Sequence, residues 1–150
     1  MRNILTLCIG NICRSPLAEV LLARELPGHQ VSSAGLGALV GAPADPFSIE
    51  IAAEQGLDLS AHRARQVSQW LCQQADLILV MEQAHKLQLE QQFPMVRGKV
   101  FRLGHFGQAG DATPFDIADP YRAPRAVFDA AWAAIAGGVA AWVPRIRQIA

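Results

Sequence analysis

The stretch that most constrains this chain is NILTLCIGNICRSPLAEVLLAREL, residues 3–26. An apolar run at 3–7 reads as a short strand, and from Pro16 onward Leu17, Val20 and Leu21 recur on one face of a helix. Proline suits the first helical turn, where its missing N–H has no intrahelical acceptor to lose. Between strand and helix lies a loop with two of the three cysteines and an arginine. The backbone N–H groups before a helix lack partners and face the positive end of its dipole, so this junction is an anion site.

The same alternation continues along the chain. Residues 31–34 read as a second strand, followed by a Gly-rich loop from Gly35 to Gly41. A helix at 47–55 is closed by Gly56. The run DLILV at 76–80 is a buried strand with a helix at 82–91 after it, and KVFRL at 99–103 is a fourth strand. A loop rich in Gly, Asp and Pro runs from there to Pro124. The alanine-rich run 130–143 predicts a C-terminal helix that ends near Pro144 or continues weakly to Arg147. Strands alternating with helices predict a single α/β domain over residues 1–150, with a four-stranded parallel sheet covered on both faces. Ligand chemistry then belongs at the carboxyl ends of the strands.

Composition narrows the partners. With 150 residues, 51% hydrophobic, the chain has enough apolar content for a substantial core. Its formal net charge is zero, so no overall field favours nucleic acid or an anionic membrane. The 14-residue apolar run is shorter than the roughly 20 residues needed to cross a bilayer. Its start, MRNILTL, lacks signal-peptide character, and three cysteines cannot all pair internally. A cytoplasmic protein without membrane insertion is expected. No metal or other cofactor is expected either: Cys8 and Cys13 lack C-x2-C spacing and the four histidines are scattered.

The loop itself carries the chemistry. The Gly-Lys-Ser/Thr ending of a nucleotide-binding loop is absent. Cys8 opens the loop and Arg14 closes it. Arg14 can grip two oxygens of a phosphate with its planar fork while the amides of Ile9, Gly10, Asn11, Ile12 and Cys13 hold the others. A thiolate beneath a bound phosphorus atom is a nucleophile. Asn11 adopts a left-handed backbone at less cost than most residues, which suits a chain wrapped around an anion. Ser15 reads in isolation as a helix N-cap. Cys13 is near enough in sequence to close a reversible disulfide with Cys8 on oxidation, and Cys72 reads as a core residue.

These residues, together with SAG at 33–35, HRARQ at 62–66, DLILVME at 76–82 and DPYR at 119–122, resemble the low-molecular-weight protein tyrosine phosphatase family. AGLGALVG and DIADPYR resemble its bacterial branch paired with tyrosine autokinases of capsule and exopolysaccharide production. The resemblance implies that Cys8 attacks phosphorus to form a cysteinyl-phosphate, that Arg14 stabilises the phosphoryl oxygens, and that Asp119 is general acid and then base. It implies that Ser33 and His62 hold Asn11, and that Ser15 donates a hydrogen bond to the Cys8 thiolate. It also implies a pocket rim of Tyr121, Ile9, Ile12 and Leu39, and a phosphotyrosine protein, such as an autokinase tail, as partner. A monomer is expected.

Three rivals share the loop. A thiol-dependent arsenate reductase needs two further cysteines to relay a disulfide, and only Cys72 lies outside the loop. A protein-arginine phosphatase tends to carry threonine where this chain has Ile12. A catalytically dead phosphate-binding module would have no need for Cys8, Arg14 and Asp119 together.

Overall fold

A computed structural model describes residues 2–149. Four parallel strands, β1 (Asn3–Cys8), β2 (Gln30–Gly35), β3 (Leu77–Val80) and β4 (Val100–Arg102), form one sheet in the order β2-β1-β3-β4. β1 runs beside β2 from Asn3 opposite Gln30 to Cys8 opposite Gly35, and beside β3 from Ile4 opposite Leu77. Helices α1 (Arg14–Glu25), α2 (Pro46–Glu54), α3 (Gln69–Gln74), α4 (Gln83–Gln92) and α5 (Arg125–Ile149) complete the layers. The expected α/β architecture is therefore the observed one.

Strand alternation divides the core in two. Ile4, Cys8, Leu77 and Leu79 point to the face covered by α1, α2 and α5, where they join Leu17, Leu22, Ile51, Phe128, Ile135 and Ile146. Leu5, Leu7, Ile78 and Val80 point to the other face and pack with Cys72, Leu89 and Val96. A strand buried on both faces has no polar side to show, which is why DLILV reads as a continuous apolar run. Cys72 is a core residue, as expected.

Three helices differ from the sequence reading, each for a local reason. α1 begins at Arg14, two residues before Pro16, so Arg14 and Ser15 occupy its first turn. The six-residue α3 lacks enough length for a periodic signal; Ser68 caps it by accepting the N–H of Leu71 at 3.2 Å. α5 starts at Arg125 and continues through Pro144 to Ile149. The proline costs one N–H···O bond, while Trp142, Val143 and Ile146 stay buried and Arg147 donates to the Glu25 carbonyl at 2.9 Å. At 25 residues α5 is long and apolar enough by composition to cross a membrane; here its apolar face closes one side of the sheet. Its close approach passes through Gly138, where a Cβ would lie 2.8 Å from the Leu103 carbonyl oxygen.

Candidate active site

Strand order reverses direction between β1 and β3, and the crevice outside their carboxyl ends is where a parallel sheet accepts ligands. The loop after β1 fills it. Six successive carbonyls of this loop are drawn outward. Those of Cys8, Ile9 and Gly10 accept the N–H groups of Leu36, Gly37 and Leu39 at 2.9, 3.0 and 3.1 Å. The Asn11 carbonyl accepts from His62 Nε2 at 2.7 Å, that of Ile12 from the Asp45 N–H at 2.8 Å, and that of Cys13 from Ser48 Oγ at 3.1 Å. Peptide planarity sets each N–H opposite its carbonyl, so fixing the carbonyls outward turns the amides inward. No N–H from Ile9 to Cys13 has a protein acceptor among the described residues. The result is a cradle of donors for an oxyanion.

Asn11 is the pin of this loop. Its φ is +59°, in the left-handed region. Its side-chain amide donates to Ser15 Oγ at 2.9 Å and Ser33 Oγ at 3.0 Å, and its side-chain oxygen accepts the Arg65 N–H at 2.9 Å. Because the Asn11 carbonyl can only accept, His62 must carry its proton on Nε2. Ser33 passes its own hydrogen to Glu19 at 2.5 Å. Gly35 lets β2 lie against the loop, since a Cβ there would stand 2.4 Å from the Ile9 carbonyl oxygen.

Cys8 lies at the floor, 2% exposed, with Ser15 Oγ 3.0 Å from its sulfur. Ser15 Oγ accepts from Asn11, and once Cys8 is a thiolate, which can only accept, the Ser15 hydroxyl is the donor to the sulfur. The N-cap reading of Ser15 is thereby corrected: Cys13 occupies the cap position, without a side-chain cap bond, and Ser15 lies inside the helix. Cys13 is a different kind of thiol. Burial, reinforced by the charge of Asp45, pushes its pKa up, so it stays protonated where a nucleophile is needed.

Arg14 is 1% exposed. Its Nη1 donates to Glu82 Oε2 and the Ile117 carbonyl, both at 2.6 Å, whereas Nε has no partner and Nη2 meets only Asp119 Oδ2, at 3.7 Å. One edge of the guanidinium is thus anchored, and the Nε–Nη2 edge is free for the bidentate grip that phosphate geometry suits. His85 Nε2 lies 3.3 Å from the same Glu82 oxygen. Burial and the neighbouring Arg14 charge lower its pKa and favour the neutral ring. Glu82, His85 and Arg65 were missed as site residues by sequence reasoning. For Glu82 the signal was its place just beyond β3, at the strand ends where ligands bind.

Asp119 reaches the site from the long loop before α5. Its Oδ1 accepts the Tyr121 N–H at 3.0 Å. The other acids of that loop are engaged elsewhere: Asp116 caps α4 through the Gln83 N–H and pairs with Arg102, and Asp111 accepts the Thr113 N–H in its own exposed turn. A pocket of about 120 Å³ results, lined by Cys8, Cys13, Arg14, Gly10 and Gly37 together with Asp119 and the apolar side chains of Ile9, Ile12, Leu39 and Tyr121. Ser33 and His62 stand behind the loop, outside the pocket lining. Among the described residues no group of three or more His, Cys, Asp or Glu is placed to hold a metal ion.

A thiol beneath an oxyanion cradle, with an arginine fork on one side and a carboxyl at the mouth, is equipped for phosphoryl transfer to sulfur. The model of the family described as low molecular weight phosphotyrosine protein phosphatase matches residues 3–149. This chain belongs to that family. A probable low molecular weight protein-tyrosine-phosphatase EpsP of Ralstonia nicotianae is 51% identical over 149 residues, covering 99% of both chains. The crystal structure of the Erwinia amylovora tyrosine phosphatase AmsI has a TM-score of 0.89 at 40% identity, covering 96% of this chain and 92% of that one. A YwlE arginine phosphatase from Geobacillus stearothermophilus also has a TM-score of 0.89, at 33% identity and 99% and 94% coverage. Backbone shape alone therefore does not separate tyrosine from arginine specificity within this family; the pocket walls must.

Proposed function

We propose that this phosphatase hydrolyses phosphotyrosine through a cysteinyl-phosphate intermediate, with Cys8 as nucleophile, Arg14 as phosphoryl clamp and Asp119 as general acid and then base. The observation that carries the reading is the set of six outward carbonyls, which turns the N–H groups of residues 9 to 14 toward the space above the Cys8 sulfur. In the first step the sulfur attacks phosphorus, the bond from phosphorus to the tyrosine oxygen breaks, and Asp119 delivers a proton to that oxygen. In the second, Asp119 takes a proton from water, the oxygen attacks phosphorus, and the sulfur leaves with the Ser15 hydroxyl stabilising its returning charge. The loop amides and Arg14 hold the three equatorial oxygens throughout.

Tyrosine is favoured by depth and lining. The sulfur is buried, so the phosphate must be carried down by a long side chain, and Tyr121, Leu39, Ile9 and Ile12 present apolar surface to a ring. Ile12 supplies no hydroxyl at the position where the arginine-specific branch tends to place threonine. The relatives named EpsP and AmsI are associated with exopolysaccharide and capsule production, which supports the phosphorylated tyrosine tail of a bacterial tyrosine autokinase as the protein substrate. Initial rates on phosphotyrosine, phosphoserine and phosphoarginine peptides of one sequence, without added metal, test the reading. Phosphotyrosine should be faster by at least about tenfold; equal rates on phosphoarginine would overturn the tyrosine assignment.

A further inference from the structure

The DPYR motif contributes Asp119 and Tyr121 to the pocket, which leaves Arg122 without a role. Its backbone is left-handed, with φ +64°, a conformation that Gly or Asn adopts more cheaply. The side chain is exposed and has no hydrogen bond or ion pair among the described residues. Its neighbour Arg125, by contrast, is committed to Glu50, Glu54 and Asp129 at 2.8–3.0 Å. The Arg122 guanidinium carbon instead stands 5.2 Å from the centroid of the Tyr121 ring. A planar guanidinium has two faces, and both stack on aromatic rings.

Beyond Arg122 lies an open hollow of about 360 Å³ lined by Asp45, Pro46, Phe47, Arg122, Ala123 and Phe128. Phe47 and Phe128 meet edge to face, with centroids 5.2 Å apart. The hollow has no lining residue in common with the catalytic pocket, but the two are joined at two places. Tyr121 of the pocket leads directly into Arg122, and Ile12 of the pocket is tied to Asp45 through the 2.8 Å backbone bond. The residues beside a phosphotyrosine that fills the pocket are therefore within reach of this hollow. The charges within it balance: Arg122 brings one cation, and Asp45, which caps α2 by accepting the Phe47 N–H at 2.9 Å, brings one anion. An acidic or phosphorylated residue would meet Asp45 as well as Arg122. An uncharged ring gains from the apolar lining and from the Arg122 face without that opposition.

We propose that this hollow is a second substrate subsite, which takes an uncharged aromatic side chain near the phosphotyrosine in sequence, with Arg122 stacked between that ring and Tyr121. The inference rests on the phosphotyrosine reading above. For a substrate with clustered tyrosines it implies a preference for a phosphotyrosine whose neighbour is unmodified.

The test uses singly phosphorylated peptides of one neutral background, with a tyrosine walked from three residues before to three residues after the phosphotyrosine, each compared with alanine. One position should raise kcat/KM about fivefold, the size expected of a single ring stacked on a cation. Phenylalanine there should serve equally, and glutamate or a second phosphotyrosine should not. Arg122→Gly and Arg122→Asn both suit the left-handed backbone, and in either the gain should shrink to within about twofold of alanine. Three results would overturn the subsite: no position with more than a twofold gain, a gain that survives both variants, or a larger gain with glutamate. If the alanine peptide is still hydrolysed in those cases, the phosphotyrosine reading stands without the subsite; if no phosphotyrosine peptide is hydrolysed, both fall together.

Discussion

Between Cys8 and Arg14 the chain has every carbonyl partnered by a surrounding element, and the pinning side chain of Asn11 is wholly buried. Between residues 104 and 124, which carry Asp119, the backbone is tied to the body by far less: Ile117 N–H to the Met81 carbonyl at 2.9 Å, Asp116 to α4 and Arg102, and Arg14 to the Ile117 carbonyl. Asp119 itself is largely exposed and is oriented mainly by the N–H of Tyr121 two residues on. The proposed nucleophile and its cradle are thus features of the folded core, whereas the proposed acid is a feature of a surface segment. Errors at the first should damage both folding and chemistry; errors at the second should damage chemistry alone.

Cys8→Ser should break the reaction most completely, by about 10⁴-fold or more in kcat for phosphotyrosine, because a hydroxyl without an adjacent base is a poor nucleophile. Vanadate should still bind, since the amides and Arg14 remain. Retained turnover would exclude a covalent cysteine. Asp119→Asn should cost about 10² to 10⁴ in kcat with an unchanged melting temperature, and more on phosphotyrosine than on p-nitrophenyl phosphate, whose leaving group needs less help from a proton. Equal losses on both substrates, or a lowered melting temperature, would make Asp119 structural and erase the contrast between the two loops.

Asn11→Ala probes the other side of the comparison. It removes three side-chain bonds and places alanine at positive φ, so stability should fall by about 1–3 kcal/mol in urea titration, together with a loss of phosphate affinity. A variant as stable as the native chain would mean that the loop is not held by the core. The smallest effect is expected from Cys13→Ser: near-native turnover, but less activity recovered by thiol reductant after peroxide, because Cys13 can no longer close a disulfide with the oxidised Cys8. Closure in the native chain should quicken as pH rises, since the thiol of Cys13 is held protonated by its burial. Identical recovery in the two proteins would deny it that protective role.

The same contrast governs what could be read before the structure. Strand and helix alternation and the Cys8–Arg14 span are local patterns, so the sheet could be read segment by segment along the chain and the cradle within the 24 residues 3–26. Arg65 and Glu82 act on Asn11 and Arg14 from 54 and 68 positions away, and no local spacing announces such partners. Ser15 shows how one residue type serves two ends: a serine before a proline at a helix start looks like a cap, and only its place inside α1, with its hydroxyl against the Cys8 sulfur, decides otherwise. α3 and the first turn of α5 escaped because a short helix lacks repeats and an alanine-rich one has too many apolar faces.

The outward carbonyls have one further effect. A cradle assembled by the fold stands ready before any substrate arrives, so it has no means of distinguishing a phosphoryl group on a protein from the free ion that hydrolysis leaves behind. Inorganic phosphate, sulfate and arsenate each present three oxygens to the same donors. The enzyme's throughput should therefore follow the phosphate level of its surroundings, slowing where the ion is plentiful and quickening where it is scarce, without any dedicated sensor.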